Sequence, residues 1–188
     1  MSSEVAFTER VVAESPRYSG AVFTVLTSQV EVAPGRVESF EVVTKGADSV
    51  ALLPVSDSGM VHLVEEYCPA TARRQVGLPK GGIEAGEEPS QAAQRELAEE
   101  LSLTGDLFRL ATFDLQPGYL RQSTVVYLVR NLRPARGSGD ERTNLITATM
   151  PFAEAVARAR NGQFTDVRLV ASLLLAEPMV MRSGKNER

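Results

Sequence analysis

The chain holds one cysteine, one histidine and no tryptophan in 188 residues. With Cys68 alone, no internal disulfide can form, which suits a reducing, cytoplasmic setting. With His62 alone, histidine-rich metal sites and any catalysis that needs two imidazoles are excluded. A bound metal would be held mostly by oxygen, which points to Mg²⁺, Mn²⁺ or Ca²⁺ rather than Zn²⁺. No apolar run approaches the ~18 residues of a membrane span, so no membrane partner is expected. Met1-Ser2-Ser3-Glu4 offers neither a basic start nor an apolar stretch, so no signal peptide is expected. Basic charge is also short. Lys and Arg number 20 against 24 Asp and Glu, a net charge of −4. That balance argues against sequence-blind nucleic-acid binding, which needs a basic footprint.

What remains is ordinary globular composition, 43% hydrophobic and 23% charged, in a length that fits one domain with a small appendage. Ala21–Val32 and Arg36–Thr44 are rich in Val, Phe and Thr and flank the turn signal Pro34-Gly35, which predicts a small antiparallel β segment over residues 1–45. A second domain is expected over 46–182, with 183–188 as a disordered tail. Within it, Ser49–Val55 and Met60–Val64 read as strands joined by the hairpin signal Ser56-Asp57-Ser58-Gly59. A loop is expected from Pro69 to Gly82. Residues 88–101 read as a helix, with Pro89 in its first turn and Ala93, Leu97 and Leu101 on one stripe. Phe108–Phe113, Ser123–Arg130 and Asn144–Met150 read as strands, and Phe152–Arg160 and Asp166–Ala176 as helices. Strands, one helix, strands, then helices predict an α+β layered fold.

The charge is unevenly placed. Residues 81–100 hold six glutamates against Arg95, while the other 168 residues sum to +1. Glu96 and Glu100 stand side by side on one helical face, with Glu99 at its border. Like charges at this spacing cost roughly 0.2–0.5 kcal/mol per pair. Glu99 and Glu100 also fall in the last turn, where the helix dipole prefers cations. A bound divalent cation would turn this repulsion into coordination; the alternative is a solvated acidic face.

The spacing decides between them. Gly81, five residues, Glu87, seven residues, Arg95-Glu96-Leu97, one residue, Glu99-Glu100, then Leu103, resembles the Nudix box G-x5-E-x7-R-E-U-x-E-E-x-G-U, where U is a bulky aliphatic. A random chain of this length matches its six polar and glycine positions about once in 10⁵. One position departs: Ser102 stands where the family has its second glycine, which eases the exit from the helix.

The resemblance implies a Nudix α/β/α sandwich with a mixed sheet and a Mg²⁺- or Mn²⁺-dependent pyrophosphohydrolase. By position it makes Glu96 and Glu100 the leading metal ligands, Glu99 the next, and the carbonyl of Lys80 a further one. Glu87 and Arg95 would orient the helix and its carboxylates. Glu66-Tyr67-Cys68-Pro69, Leu78-Pro79-Lys80-Gly81 and Gln116-Pro117-Gly118-Tyr119 resemble the ADP-ribose pyrophosphatase group. Asn131-Leu132-Arg133-Pro134, Gly139-Asp140-Glu141 and Met150-Pro151 look most like its NudE-type branch, the ADP compounds hydrolases. The implied substrates are ADP-ribose, diadenosine polyphosphates or NADH, cleaved to AMP and a phosphorylated product. Where the group carries an arginine for the phosphates, this chain has Cys68; Arg73, Arg74, Lys80 or Arg121 could replace it, and Tyr119 could stack on a base. The catalytic base falls on Asp140 or Glu141 by proximity, or on Thr143 by count. The group also implies a homodimer built through the N-terminal segment. A catalytically silent nucleotide-binding module is the alternative; such relatives usually lose box acids, and none is lost here.

Overall fold

A computed structural model describes residues 7–135 and 145–183, and the chain divides into two units. The smaller comprises the N-terminal residues to Asp48 together with Asp114–Ser123. It is a four-stranded sheet of β1 (Arg10–Ser19), β2 (Thr24–Ala33), β3 (Arg36–Thr44) and the short β9 (Leu120–Arg121). β1–β2 and β2–β3 are antiparallel, and β3 takes β9 in parallel, with Val43 opposite Leu120. The β2–β3 turn falls at Pro34-Gly35, where Gly35 has φ +76°, a conformation that costs glycine little. Among its described residues no hydrophobic side chain is fully buried; Val11, Val12, Tyr18, Phe23, Val37 and Phe40 all stand exposed.

The larger unit, Ser49–Phe113 with Thr124 onward, holds the whole described hydrophobic core. Its first sheet has the order β7-β4-β10-β8, from β4 (Ser49–Pro54), β7 (Lys80–Gly82), β8 (Leu103–Asp114) and β10 (Ser123–Pro134). β4 runs parallel to β10 and antiparallel to β7. The second sheet, β11-β5-β6, is antiparallel and comprises β5 (Met60–Cys68), β6 (Arg73–Gly77) and β11 (Ile146–Pro151).

The two central strands are nearly continuous apolar runs because both their faces are covered. Val50 and Leu52 of β4, with Val125, Tyr127 and Val129 of β10, pack on Ala92, Ala93 and Leu97 of α1 (Pro89–Leu101). The alternate residues Ala51, Leu53, Val126 and Leu128 pack with Phe152, Val156, Leu169 and Leu173 of α2 (Phe152–Arg160) and α3 (Val167–Ser183). Period-two alternation thus places a helical layer on each side, the α/β/α sandwich expected from the sequence. Each fully buried leucine contributes about 1.5–3 kcal/mol.

Two local expectations fail. The segment expected as a loop before the box carries β6 and β7, each recruited by a neighbour: β6 by β5, and β7 by β4. Neither has a hydrophobic period to betray it, since Arg73-Arg74-Gln75 and Lys80-Gly81-Gly82 are polar or glycine. β4 and β5 do meet at a tight turn at Ser56–Gly59, but they do not form a hairpin. A single isolated bridge, from Val55 just past β4 to Val61, joins them before they diverge into different sheets. Ser183 closes α3; residues 184–188 lie outside the described ones.

Candidate active site

The box lies within the larger unit as strand β7, a short turn and helix α1. The turn is closed by Glu84, whose N–H bonds Glu87 Oε2 at 3.0 Å and whose carbonyl accepts from Glu87 N–H at 3.0 Å. Glu88 caps the helix, taking the Gln91 N–H while its own N–H donates to Gln91 Oε1 at 3.0 Å, a reciprocal capping box. Pro89 occupies the first turn, where its missing N–H costs nothing. The helix is therefore started by sequence-local chemistry and anchored by the apolar face of Ala92, Ala93 and Leu97.

Arg95 is the hub of the acidic face. Its Nε and Nη2 form a fork on Glu87, both at 3.0 Å, and Nη2 also reaches the carbonyl of Gly82 at 2.8 Å. Nη1 bonds Glu96 Oε1 at 2.7 Å and Glu99 Oε2 at 3.4 Å. Hydrogen bonding to Glu87, reinforced by Glu96, raises the guanidinium pKa well above its ordinary value. The same Arg95 bond, with the Glu84 N–H, holds the Glu87 carboxyl below its ordinary range. The orienting pair expected from the sequence is thus a bidentate contact that ties β7, the turn and α1 together.

Glu96 and Glu100 both turn toward β7. Glu100 Oε2 accepts the backbone N–H of Lys80 at 3.1 Å. Glu96 is 1% exposed, and its Oε2 is buried without a hydrogen-bond partner among the described residues. A buried carboxylate oxygen with no donor is expensive, and such groups in proteins are paired or bound to metals. Gly81 makes room for it. A Cβ at that position would lie 1.8 Å from Glu96 Oε1 and 2.3 Å from Oε2. The first glycine of the box is therefore a steric requirement for the carboxylate.

This donor set fits a hard divalent cation: carboxylates, one with an unsatisfied buried oxygen, beside a strand edge with backbone carbonyls. Among the described residues no three acidic, cysteine or histidine side chains are gathered closely enough to enclose an ion on their own. That is compatible with Mg²⁺, which keeps several waters and shares its coordination with substrate phosphates. Ser102 takes the helix exit in the left-handed conformation, φ 55° and ψ 37°, and donates its N–H to Ala98 O at 3.0 Å. The backbone turn that glycine would ease is kept, at a cost of about 1 kcal/mol.

The remaining candidates separate. Arg73 opens β6 and is exposed. Arg74 is engaged with Glu65, through Nε to the carboxylate at 3.0 Å and Nη2 to the carbonyl at 2.8 Å. The Lys80 ammonium pairs with Glu66. Tyr119 and Arg121 belong to the smaller unit, where Tyr119 is 53% exposed and Arg121 forks onto Glu14 of β1. That bond holds the Glu14 carboxyl below its ordinary range. Asp140, Glu141 and Thr143 lie outside the described residues. His62 sits in β5 opposite Thr149, and burial lowers its pKa. Glu66 escapes sequence reasoning as the partner of Lys80, because nothing in a 14-residue separation announces a contact made through two strands.

A model of the NUDIX domain matches residues 45–172, so the chain belongs to the Nudix family. It is 31% identical over 161 residues to an ADP-ribose pyrophosphatase of Mycobacterium tuberculosis, covering 84% of this chain and 77% of that protein. It is 27% identical over 166 residues to the ADP compounds hydrolase NudE of Escherichia coli, covering 87% and 89%. A crystal structure of an ADP compounds hydrolase superposes with a TM-score of 0.83 at 25% identity, covering 97% of this chain and 99% of that one.

Proposed function

We propose that this chain is a divalent-metal-dependent Nudix pyrophosphohydrolase that cleaves ADP compounds such as ADP-ribose, diadenosine polyphosphates or NADH to AMP and a phosphorylated product. The observation that carries the reading is the buried, unpartnered Glu96 oxygen facing Gly81, in a helix that also presents Glu99 and Glu100. The names of the relatives supply the substrate class. Glu96 and Glu100 would hold the metal, with the Lys80 carbonyl and Glu99 beside them, and Mg²⁺ or Mn²⁺ suits these oxygen donors.

When bound, the metal supplies positive charge against phosphoryl oxygens and lowers the pKa of water. The chain's own residues set the stage for that chemistry. Arg95, fixed by Glu87 and the Gly82 carbonyl, holds Glu96 in one rotamer and draws Glu99 inward. The Lys80 N–H fixes Glu100. Glu99 keeps 24% side-chain exposure, against 15% for Glu87 and 2% for Glu96; with Asp140 and Glu141 it is a candidate to take the proton. Lys80, Arg73 and Arg74 are the cations of the larger unit offered to phosphate.

The smaller unit supports a homodimer, since its exposed Val, Tyr and Phe side chains have no core of their own to cover them. The lone cysteine suits the cytoplasm. No described helix is long and apolar enough to cross a membrane.

The test is incubation with ADP-ribose, NADH, diadenosine polyphosphates, FAD and sugar nucleotides in Mg²⁺ or Mn²⁺, with products identified and ¹⁸O water marking the attacked phosphorus. Turnover to AMP is the expected result; tight binding without product would instead support the silent module. Light scattering with and without residues 1–45 tests the dimer.

A further inference from the structure

Lys80 is tied in two directions. Its N–H is bound to the box carboxylate Glu100 at 3.1 Å, while its ammonium pairs with Glu66 near the end of β5. The pair sits at the rim of the carboxylate cluster and reaches solvent, with side-chain exposures of 20% for Lys80 and 36% for Glu66. The other charged groups around it are committed. Arg95 is taken by Glu87, Glu96 and the Gly82 carbonyl, and Arg74 by Glu65 and its carbonyl. Asp166, just before α3, feels the Lys80 charge. Burial pushes its carboxyl up, yet Arg168 and Lys80 together bring it below its ordinary value. Its oxygens are already held by Arg168, through Nε at 3.2 Å, Nη2 at 2.9 Å and the backbone N–H at 2.8 Å. The partner that the ammonium can exchange is therefore Glu66.

We propose that Lys80 is a phosphate-reading cation kept in reserve by Glu66, passing from that carboxylate to a phosphate oxygen of the bound substrate. Glu66 is then a positioning residue that sets the preference between a two-phosphate bridge and a longer one. The idea rests on the hydrolase reading above and names a specificity device for it. A lysine suits the task, being a point charge on a flexible four-carbon stem. A partly exposed ion pair is worth little, so exchanging carboxylate for phosphate is close to neutral when the bridge has only two phosphates. A longer bridge brings charge beyond what the box can meet, and that surplus tips the exchange.

The experiment compares the full-length protein with Glu66→Gln, Lys80→Met and the double variant at saturating Mg²⁺. Calorimetry gives Kd for inorganic pyrophosphate and tripolyphosphate, and kinetics give kcat and KM for ADP-ribose and diadenosine tetraphosphate. Glu66→Gln is expected to tighten tripolyphosphate about three- to fivefold more than pyrophosphate, the scale of one exposed pair. It should lower KM for the dinucleotide by a similar factor, with kcat held within about twofold. Lys80→Met should shift both ratios the other way. In the Lys80→Met background Glu66→Gln should do nothing, because no ammonium remains to release. An unchanged ratio between the two ligands, or a Glu66→Gln effect that persists without Lys80, overturns the proposal. A fall in Tm and kcat with both ligands affected alike marks Glu66 as merely structural and also overturns it. Absence of turnover by the wild type, with the calorimetric pattern intact, counts against the hydrolase reading and leaves the Lys80–Glu66 exchange standing.

Discussion

Gly81→Ala asks the most of the geometry. The added methyl would lie 1.8 Å from Glu96 Oε1 and 2.0 Å from its Cδ, far inside any real contact. Either β7 moves away from β4 or the carboxylate leaves its place. The strand is held by its register with Ser49–Ala51, so the side chain is the softer element. Moving it breaks the 2.7 Å bond from Arg95, a charge-assisted bond worth about 1.5–3 kcal/mol. Forcing an extra methyl into a packed site costs about 1–3 kcal/mol. Removal of the orphaned oxygen from its buried position returns part of this, so the net loss should be about 2–4 kcal/mol by urea unfolding without metal. The larger effect is functional: Mn²⁺ affinity, followed by electron paramagnetic resonance, should fall at least tenfold. Gly82→Ala is the control, because a Cβ there meets nothing within 4 Å. It should leave stability within about 1 kcal/mol of wild type. If Gly81→Ala binds Mn²⁺ as the wild type does, Glu96 is not the ligand and the reading of its free oxygen is mistaken.

Four further outcomes follow from the same contacts. Glu100→Gln keeps an oxygen to accept the Lys80 N–H, so the fold should survive while kcat drops by orders of magnitude; unimpaired turnover would remove Glu100 from the metal site. Glu96→Gln should unfold at equal or higher urea than the wild type without metal, since it deletes a buried charge, yet lose Mn²⁺ binding; a clear loss of metal-free stability would contradict the cost assigned to that oxygen. Ser102→Gly should raise stability by about 1 kcal/mol, because the position is left-handed. The pH dependence has a definite sign. Glu87 has a depressed folded-state pKa, so its contribution is present above its ordinary value near 4.5 and lost as pH falls through the folded value. Glu87→Gln should flatten that acid limb, and an unchanged limb in urea melts would refute the assignment.

What is legible in the sequence is whatever local chemistry dictates. α1 begins at Pro89 and ends at Leu101 because the cap, the proline and the apolar stripe all fall within one turn of their targets. α2 has the bounds its composition suggests. β6 and β7 escape because their strand character is lent by β5 and β4. The divergence of β4 from β5 escapes because a turn signal fixes a reversal, not the partner that follows. The same boundary runs through the site. Glu96, Glu99, Glu100 and Arg95 stand on one helix and are found by spacing. The Lys80–Glu66 pair and the reason for Gly81 depend on strands meeting, and no period records that.

The helix also shows why its acidity is not a solvated face. Glu87, Glu96 and Glu99 share the guanidinium of Arg95, while the backbone N–H groups of Glu84 and Lys80 donate to Glu87 and Glu100. A solvated face would place its carboxylates in water, where repulsion is screened. Here Glu96 is withdrawn to 1% exposure with one oxygen unanswered, although Gln would fill the same space without the charge. Keeping a carboxylate there costs stability in the metal-free protein. Its neighbours are arranged to retain it, with Arg95 on one oxygen and Gly81 stripped of a side chain. The cost becomes intelligible if the missing positive charge comes from outside the chain. The same four carboxylates that make the metal-free site hostile to a pyrophosphate would, once loaded, turn it into a place that attracts one.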